Sequence, residues 1–308
     1  MKILIVVRDM LKVGKHDLIG HYSFVKEFEN HCDVVWWGPL HDGYDENRLI
    51  TDVVKEHCPD VLFKYGFRMP FEIDIDKVKI PKMIYLVDYF PPKGLYKGVQ
   101  PQYQEYMEKA NFDVAFVPVS YMERYVVECG ACKEAVVIPF SVNTNIFKKL
   151  SVHKKYDVCA RYILRDDVYP FRSQIKDILL KMNVASVHGK TSVDKYVTDI
   201  NSSKIVVTSN NIFGSLSMKY TETMSCGSFL LADKPEDLKR FRYVDGEHLV
   251  IYRNLNDLKD KIYYYLKHGD ERERIAKQGM DFVRENYSNY DMISLILFYA
   301  YIKWGSRI

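Results

Sequence analysis

Short apolar runs alternate along the chain with stretches that carry apolar residues at helical spacing. The first half of the chain contains five such runs: KILIVV (2–7), DVVWWG (33–38), DVLFKY (60–65), KMIYLV (82–87) and DVAFVP (113–118). Helical patterns lie between them, after Gly20 and over residues 48–57. Because strands that alternate with helices pair in parallel and are covered on both faces, this pattern predicts an α/β domain with a parallel sheet.

A helical pattern over 121–129 leads into the apolar run AVVIP (135–139), and a polar linker follows over 139–156. The alternation then starts again. Its runs are YDVCA (156–160), NVASV (183–187), KIVVT (204–208), SFLLA (228–232) and HLVIY (248–252). We therefore predict two doubly wound domains, 1–145 and 146–288, which face each other across a cleft. Residues 289–308 are predicted to form an apolar helix that packs back on the first domain.

Composition is typical of an enzyme of ordinary charge. The 308 residues are 47% hydrophobic, which is enough for two cores, and the net charge is +3. A value so close to neutrality gives no strong nucleic-acid signature. No signal peptide is recognised before the first strand, and the six cysteines are scattered through apolar runs, so we expect a cytoplasmic protein without structural disulfides.

Two features carry less weight. Cys129 and Cys132 match a redox CxxC motif, but they stand between a helix and a strand, and no second pair completes a zinc site. The apolar stretch 292–302 is shorter than the roughly 20 residues that a membrane span needs. Contact with a membrane is therefore peripheral at most, and packing on the protein body is favoured.

Three residues between the first strand and the first helix are candidates for contact with a substrate or a phosphate. Gly14 and Lys15 offer backbone freedom and a cation, and His16 is a candidate catalytic base, although an ordinary surface loop fits equally well. Asp88 closes the run KMIYLV, so its carboxylate is expected at the carboxyl edge of the sheet. The alternative for Asp88 is a turn residue before Pro91.

Asp74 and Asp76 form a DxD pattern, which in some glycosyltransferases holds a divalent cation. Lys77 and Lys79 follow directly, so we interpret the stretch as a solvated face and predict no metal site. Cations are concentrated instead near the second sheet. Arg161 and Arg165 follow the run YDVCA, and Lys219 and Arg172 open predicted helices. Guanidinium and ammonium groups at one sheet edge suit a diphosphate.

A helix between KIVVT and SFLLA begins near Lys219 and contains Glu222. A helix amino terminus at the carboxyl edge of a parallel sheet suits phosphate, and a carboxylate one turn further in accepts hydrogen bonds from a ribose diol. The sequence therefore points to a nucleotide. The other interpretation is a solvent-exposed helix glutamate, but the crowded apolar neighbours Met224 and Cys226 argue against it.

The segment Glu222-Thr-Met-Ser-Cys-Gly227 followed by SFLLA resembles the E-A-M-A-C-G-x-P-V segment of group 1 glycosyltransferases with the GT-B fold, which are retaining and similar to family 4. The stretch 120–149 resembles the family's segment that joins its two Rossmann-like domains. The stretch YDVCARYILRDDVYPFR is most similar to the spore-maturation-protein branch, and ERERIAKQGMDFVRENYS resembles the closing helix. The resemblance covers most of 120–288, whereas the first half fits by architecture.

The resemblance implies roles for individual residues. Arg161 and Lys219 would neutralise the donor diphosphate, with Arg165 nearby, and Glu222 would bind the ribose. The loop would offer backbone amides to the diphosphate: Gly214, Ser215, Leu216, Ser217 and Met218. Recognition of the base is expected near His188 and Gly189. No cofactor is implied apart from the nucleoside diphosphate sugar, which is a co-substrate, and no metal.

Two departures from the family pattern bear on function. Family members with the full motif carry an acid eight residues before the ribose glutamate, where this chain has Gly214, and the usual glycine pair after the first strand is replaced. We predict a metal-independent glycosyltransferase that acts on a glycan or another hydroxyl acceptor. The alternatives are a nucleotide-sugar epimerase of the same fold and a degenerate, non-catalytic assembly or coat protein.

Overall fold

A computed structural model describes residues 1–12, 19–66 and 70–305. By its internal contacts the chain divides into two compact units, one of Met1–Pro139 with Tyr290–Ile308 and one of Phe140–Asn289. Within the described ranges, no helix is long and apolar enough to cross a bilayer.

The described strands of the first unit form a single parallel sheet in the order β2-β1-β3-β4-β5-β6. The residues Ile3 to Val6 of β1 are fully buried, because helices cover both faces of the sheet. The strands are β1 Lys2–Val6, β2 Asp33–Trp37, β3 Val61–Gly66, β4 Lys82–Leu86, β5 Val114–Val117 and β6 Ala135–Val137.

One helix of this unit, the third, shows the expected start and stop signals. It begins with a proline in its first turn and ends at Asn111, which takes the left-handed conformation with φ 50°. Tyr299 of the last helix donates a hydrogen bond to Glu134, and its ring packs 5.6 Å from that of Phe116. The helices are α1 Ile19–Lys26, α2 Ile50–His57, α3 Pro101–Ala110, α4 Ser120–Glu128 and α10 Asn289–Trp304.

The second unit repeats the same design with strand order β11-β10-β9-β7-β8, again all parallel. Its strands are β7 Tyr156–Ala160, β8 Ser186–His188, β9 Ser203–Thr208, β10 Phe229–Asp233 and β11 Val250–Tyr252. Its helices are α5 Arg172–Lys181, α6 Val193–Asn201, α7 Met218–Ser225, α8 Leu255–Lys267 and α9 Gly269–Asn286. The prediction of two doubly wound parallel sheets is confirmed.

In the second sheet the chain leaves β7, adds β8 on one side and returns to add β9 on the other. Ligands of doubly wound folds bind outside the carboxyl ends of the strands at such a reversal. The residues that follow β7 and β9 are therefore the candidates for ligand binding. Helix α7 starts at this edge and packs on α9, since a Cβ atom at Gly279 of α9 would lie 3.2 Å from the sulfur of Met224 on α7.

Candidate functional site

The loop that leads from β9 into α7 carries polar groups without partners. Ser217 takes the extended conformation that precedes a helix, but its hydroxyl makes no capping hydrogen bond. The buried hydroxyl oxygens of Ser215 and Ser217 have no partner among the described residues. Native proteins rarely leave buried polar atoms unpaired, so a polar ligand at this loop would satisfy these hydroxyls.

Asn211 shapes the loop from within. Its side-chain oxygen accepts hydrogen bonds from the amides of Phe213 and Ser215, at 3.0 and 3.1 Å, and its carbonyl oxygen accepts one from the amide of Gly214 at 2.9 Å. Two of the five amides predicted for the diphosphate are therefore used inside the loop. The remaining three belong to Leu216, Ser217 and Met218, and among the described residues none of them meets an acceptor before the helix begins.

Glu222 lies one turn into α7 and is only 8% exposed, so the solvent-exposed interpretation is wrong. Its Oε2 atom has no hydrogen-bond partner within the described chain, and the Nζ atom of Lys219 lies 3.7 Å away. The same Nζ atom lies 4.1 Å from the ring centroid of Tyr196 on α6. Burial lowers the pKa of Lys219, whereas the nearby carboxylate raises it. A buried carboxylate, an ammonium group and a phenol thus meet at one helix start.

Arg161 follows β7, as predicted, but it is already bound. Its Nε and Nη2 atoms lie 2.9 and 2.7 Å from Oδ2 of Asp199 on α6, and its Nη1 atom donates to the carbonyl oxygen of His188. Lys195 approaches the other oxygen of Asp199 at 3.2 Å. Arg161 is therefore fixed at the sheet edge, and the cluster has one positive charge in excess.

The other two arginines occupy different environments. Arg172 is buried, stacks 3.3 Å from the ring centroid of Tyr169 and donates to the carbonyl oxygen of Ile163 at 3.1 Å. Burial lowers its pKa, and its charge also acts on Lys219, so it lies close to the site. Arg165 is exposed and pairs with Asp167 at 2.5 Å.

His188 ends β8, and Gly189 follows it with φ 80°, a conformation that suits glycine. The Nε2 atom of His188 lies 2.7 Å from the hydroxyl of Ser186, and its buried Nδ1 atom has no partner within the described residues. Burial lowers the pKa of His188, which favours the neutral ring. A neutral imidazole beside the turn at Gly189 can exchange hydrogen bonds with a nucleotide base.

Sequence reasoning missed several polar groups that face this edge. Tyr196 and Asp199 lie on the buried side of α6, where the only signal was a polar side chain among apolar ones at helical spacing. Further buried polar atoms lack a partner in the described chain: the hydroxyls of Tyr162, Thr208, Ser209 and Thr223. Each buried polar group left without a partner costs about 1–3 kcal/mol. A ligand with many donors and acceptors would satisfy them.

In the first unit, Asp88 lies two residues beyond β4 with a left-handed backbone, φ 57°. Its carbonyl oxygen accepts a hydrogen bond from the amide of Phe90 at 3.2 Å, so Asp88 also shapes the turn. Gly14, Lys15 and His16 lie outside the described residues, so the roles predicted for them stay predictions.

A histidine that sequence reasoning missed contacts a tyrosine of the first sheet. The Nδ1 atom of His21, on α1, is 2.6 Å from the hydroxyl of Tyr65 at the carboxyl end of β3. Burial raises the pKa of Tyr65, and the charges of Tyr85 and Asp88 raise it further. The carboxyl edge of the first sheet therefore also carries a hydrogen-bonded pair of polar side chains.

Asp74 and Asp76 lie at a short 3-10 turn between β3 and β4. Asp74 accepts a hydrogen bond of 2.6 Å from the hydroxyl of Thr51 at the start of α2. Within the described ranges, no three His, Cys, Asp or Glu side chains are grouped to hold a metal ion. Cys129 and Cys132 are free, and burial raises the pKa of Cys132 to about 12.

Comparisons with known proteins agree with this geometry. Residues 169–297 match the family model described as glycosyl transferase-like. No curated protein matches the sequence. Solved structures that resemble the chain include a sucrose-phosphate synthase from Thermosynechococcus elongatus, with a TM-score of 0.64 and 10% identity over 98% of this chain and 99% of that one.

Two more similar structures contain a nucleotide. HepE from Anabaena in complex with UDP has a TM-score of 0.59 and 12% identity, and the match covers 97% of this chain and 99% of that one. An alpha-glucosyltransferase in complex with UDP and a 13-mer DNA has a TM-score of 0.63 and 12% identity, over 96% and 98%. Identities this low show the fold alone. The chain therefore has the GT-B fold, and residues 169–297 are similar to the family described as glycosyl transferase-like.

Proposed function

We propose that the chain transfers a sugar from a UDP-sugar to a hydroxyl acceptor and that the second unit holds the donor. The observation that carries the proposal is the buried carboxylate of Glu222, which has no hydrogen-bond partner in the described chain and lies one turn inside a helix that starts at the sheet edge. A carboxylate in this position accepts hydrogen bonds from a pair of ribose hydroxyls, because it has acceptor sites only.

The diphosphate belongs at the start of α7. The amides of Leu216, Ser217 and Met218 lie at the amino terminus of α7, where the helix dipole favours negative charge. Lys219 adds a cation that burial holds partly desolvated, so an anion is a favourable partner for it. The hydroxyls of Ser215 and Ser217 supply two more donors.

The same groups would also accelerate the transfer reaction. Breaking the bond between the anomeric carbon and the phosphate oxygen places negative charge on the departing UDP. Donors already aimed at that oxygen stabilise the charge without rearrangement, and loss of one such donor costs roughly 10² to 10³ in rate. Lys219 is the residue best placed for this role, and Arg161 adds long-range positive charge from its fixed position beside Asp199.

The choice of UDP rests on two observations. Two similar structures, HepE and the alpha-glucosyltransferase, are described as complexes with UDP. In this chain the unpaired Nδ1 atom of His188 and the open turn at Gly189 can meet the polar edge of a small base.

We further propose that the acceptor binds to the first unit and that no metal is required. Asp88, with His16, is the candidate base if the transfer inverts the sugar's configuration. If the transfer retains it, the leaving phosphate accepts the proton of the acceptor hydroxyl. The helix amides and Lys219 supply the positive charge that a divalent cation supplies in other transferases.

The test is thermal unfolding with UDP, GDP, ADP, CDP and dTDP, each with magnesium and with EDTA. A ligand at 100 times its Kd stabilises the native state by about 2.7 kcal/mol, so one nucleotide should stand out. We expect UDP to raise Tm equally with magnesium and with EDTA, and Glu222→Ala to reduce the shift strongly. Glu285→Ala, an exposed site on α9, is the matched control. Absence of any shift would favour the non-catalytic alternative, and a shift that needs magnesium would contradict metal independence.

A further inference from the structure

We propose that Glu236 is the residue that contacts the sugar of the donor; this inference rests on the proposed function. Glu236 lies against Gly214, at the entrance to the loop before α7. A Cβ atom built on Gly214 would lie 2.8 Å from Cγ of Glu236 and 3.4 Å from its Oε1 atom. The glutamate side chain thus fills the space that a side chain at position 214 would occupy.

The main chain fixes this arrangement. The amide of Glu236 donates a hydrogen bond of 3.0 Å to the carbonyl oxygen of Gly214. A second link joins the same two segments, because the amide of Asn210 donates to Oδ1 of Asp233 at 2.7 Å. Pro235 precedes Glu236 in the extended conformation and limits the freedom of its backbone. The segment after β10 is therefore tied to the segment after β9 at two points.

Glycine at position 214 is required by this packing. Its φ of 66° is left-handed, which glycine adopts without strain, and a Cβ atom at 2.8 Å from Glu236 would force the glutamate to move. Position 214 is also where the family resemblance leads one to expect an acid. In this chain the carboxylate reaches the same loop from a different strand.

The charge of Glu236 determines which part of the donor it can contact. Its carboxylate is exposed and makes no hydrogen bond or ion pair with the described residues. A phosphate next to it would be repelled, whereas a hydroxyl would donate to it. The amides and Lys219 at the start of α7 take the diphosphate. Gly214, against which the Glu236 carboxylate packs, precedes those amides by two to four residues. The carboxylate therefore faces the hydroxyl-bearing end of the donor, which is the sugar.

The experiment compares the binding of UDP with the binding of UDP-glucose, UDP-galactose and UDP-N-acetylglucosamine by calorimetry. In Glu236→Ala we expect the Kd for UDP to stay within about 2-fold of wild type, while the best-bound UDP-sugar weakens about 10- to 100-fold, the effect of losing a hydrogen bond to a charged group. Glu236→Gln should lose less, because its amide oxygen still accepts one hydrogen bond. Glu285→Gln is the control and should change neither Kd.

A second variant tests the packing. Gly214→Ala should displace Glu236 and weaken the UDP-sugar more than UDP, and retained UDP binding shows that the loop is still folded. An unchanged ratio of the two Kd values in Glu236→Ala would overturn the inference and leave the proposed function standing. An equal loss for UDP and for the UDP-sugar would overturn it as well. If the wild-type protein binds no nucleotide, the proposed function itself fails, and the inference fails with it.

Discussion

Asp199 holds Arg161 at the carboxyl edge of the second sheet, with 2.7 Å between the guanidinium Nη2 atom and Oδ2 of the aspartate. The aspartate side chain is 3% exposed and that of the arginine 11%. The arginine follows β7 and the aspartate lies on α6, so the pair also ties the helix to the sheet. The orientation of the Arg161 side chain is therefore set before a ligand binds.

Removal of Asp199 leaves a buried arginine without its counter-ion. We expect Asp199→Ala to lower the free energy of unfolding by about 3–5 kcal/mol, the usual cost of breaking a buried pair by truncating one partner. Urea unfolding measures it. Asp194→Ala, on the exposed face of the same helix, is the matched control and should cost no more than about 1 kcal/mol. Equal losses in the free energy of unfolding for the two substitutions would show that the Arg161–Asp199 pair contributes no more to stability than an exposed carboxylate does.

Glu222 should decide between ribose and deoxyribose. Wild-type protein is expected to bind UDP about 10- to 100-fold more tightly than 2′-deoxy-UDP, because the carboxylate accepts a hydrogen bond from the 2′-hydroxyl. Glu222→Ala should bind the two ligands almost equally. Competition calorimetry gives both constants. A variant that keeps the full preference for UDP would exclude Glu222 as the ribose ligand.

Lys219 should matter more for rate than for binding. We expect Lys219→Met to lower kcat for donor hydrolysis or transfer by roughly 10² to 10³, since it removes a donor that stabilises the leaving diphosphate. The thioether keeps the packing against Tyr196. Lys204→Met, whose ammonium pairs with Asp157 at 2.7 Å, is the control and should keep kcat near the wild-type value. A kcat ratio near one for Lys219→Met would remove this lysine from the mechanism.

The strands could be predicted from sequence because each coincides with a short apolar run, and every predicted run has its strand in the structure. Helix α3 was missed, since only Met107 and Ala110 of its ten residues are buried and the amphipathic signal is weak. The position of Glu222 followed from the same local logic, one turn into a helix between two strands.

Pairings across long stretches of chain could not be predicted. Asp199 is 38 residues from Arg161, and His21 is 44 residues from Tyr65. The local sequence pattern does not predict either pair, because only the packing of a helix on the sheet brings the two residues of each pair together. The same holds for Glu236 beside Gly214, where the sequence showed only a missing acid.

Asp233 gives a pH-dependent stability. Burial raises its pKa to about 6, above the 3.8 of an unfolded chain, so the folded state holds a proton that the unfolded state loses. Stability from this group is present below pH 4 and is lost as the pH rises through 6, by at most about 3 kcal/mol. We expect Asp233→Asn, whose amide oxygen still accepts from Asn210, to remove this slope and to unfold at a higher temperature than wild type at pH 7. Calorimetric Tm values from pH 4 to 8 test this, and parallel curves for the two proteins would contradict it.

Gly279 of α9 should tolerate no side chain. Alanine normally stabilises a helix relative to glycine, by up to about 1 kcal/mol. Here its Cβ would overlap the carbonyl oxygen of His248 and lie 3.2 Å from the sulfur of Met224 on α7, so we expect Gly279→Ala to destabilise by about 1–3 kcal/mol. Gly269→Ala, whose nearest neighbour lies at 3.6 Å, should have no such cost. Denaturant unfolding of the two variants compares the signs.

The buried cysteines of the second unit, Cys159 and Cys226, have a practical consequence. Burial raises the pKa of Cys159 and of Cys226 to about 12, and both thiols are free. A thiol reagent at neutral pH reaches them only when the surrounding segment opens, so their labelling rate is a clock for local opening of the second unit. Cys58 is exposed and reports the unhindered rate in the same molecule. The labelling rates of these thiols with and without a ligand therefore measure how far the ligand suppresses local opening of the second unit.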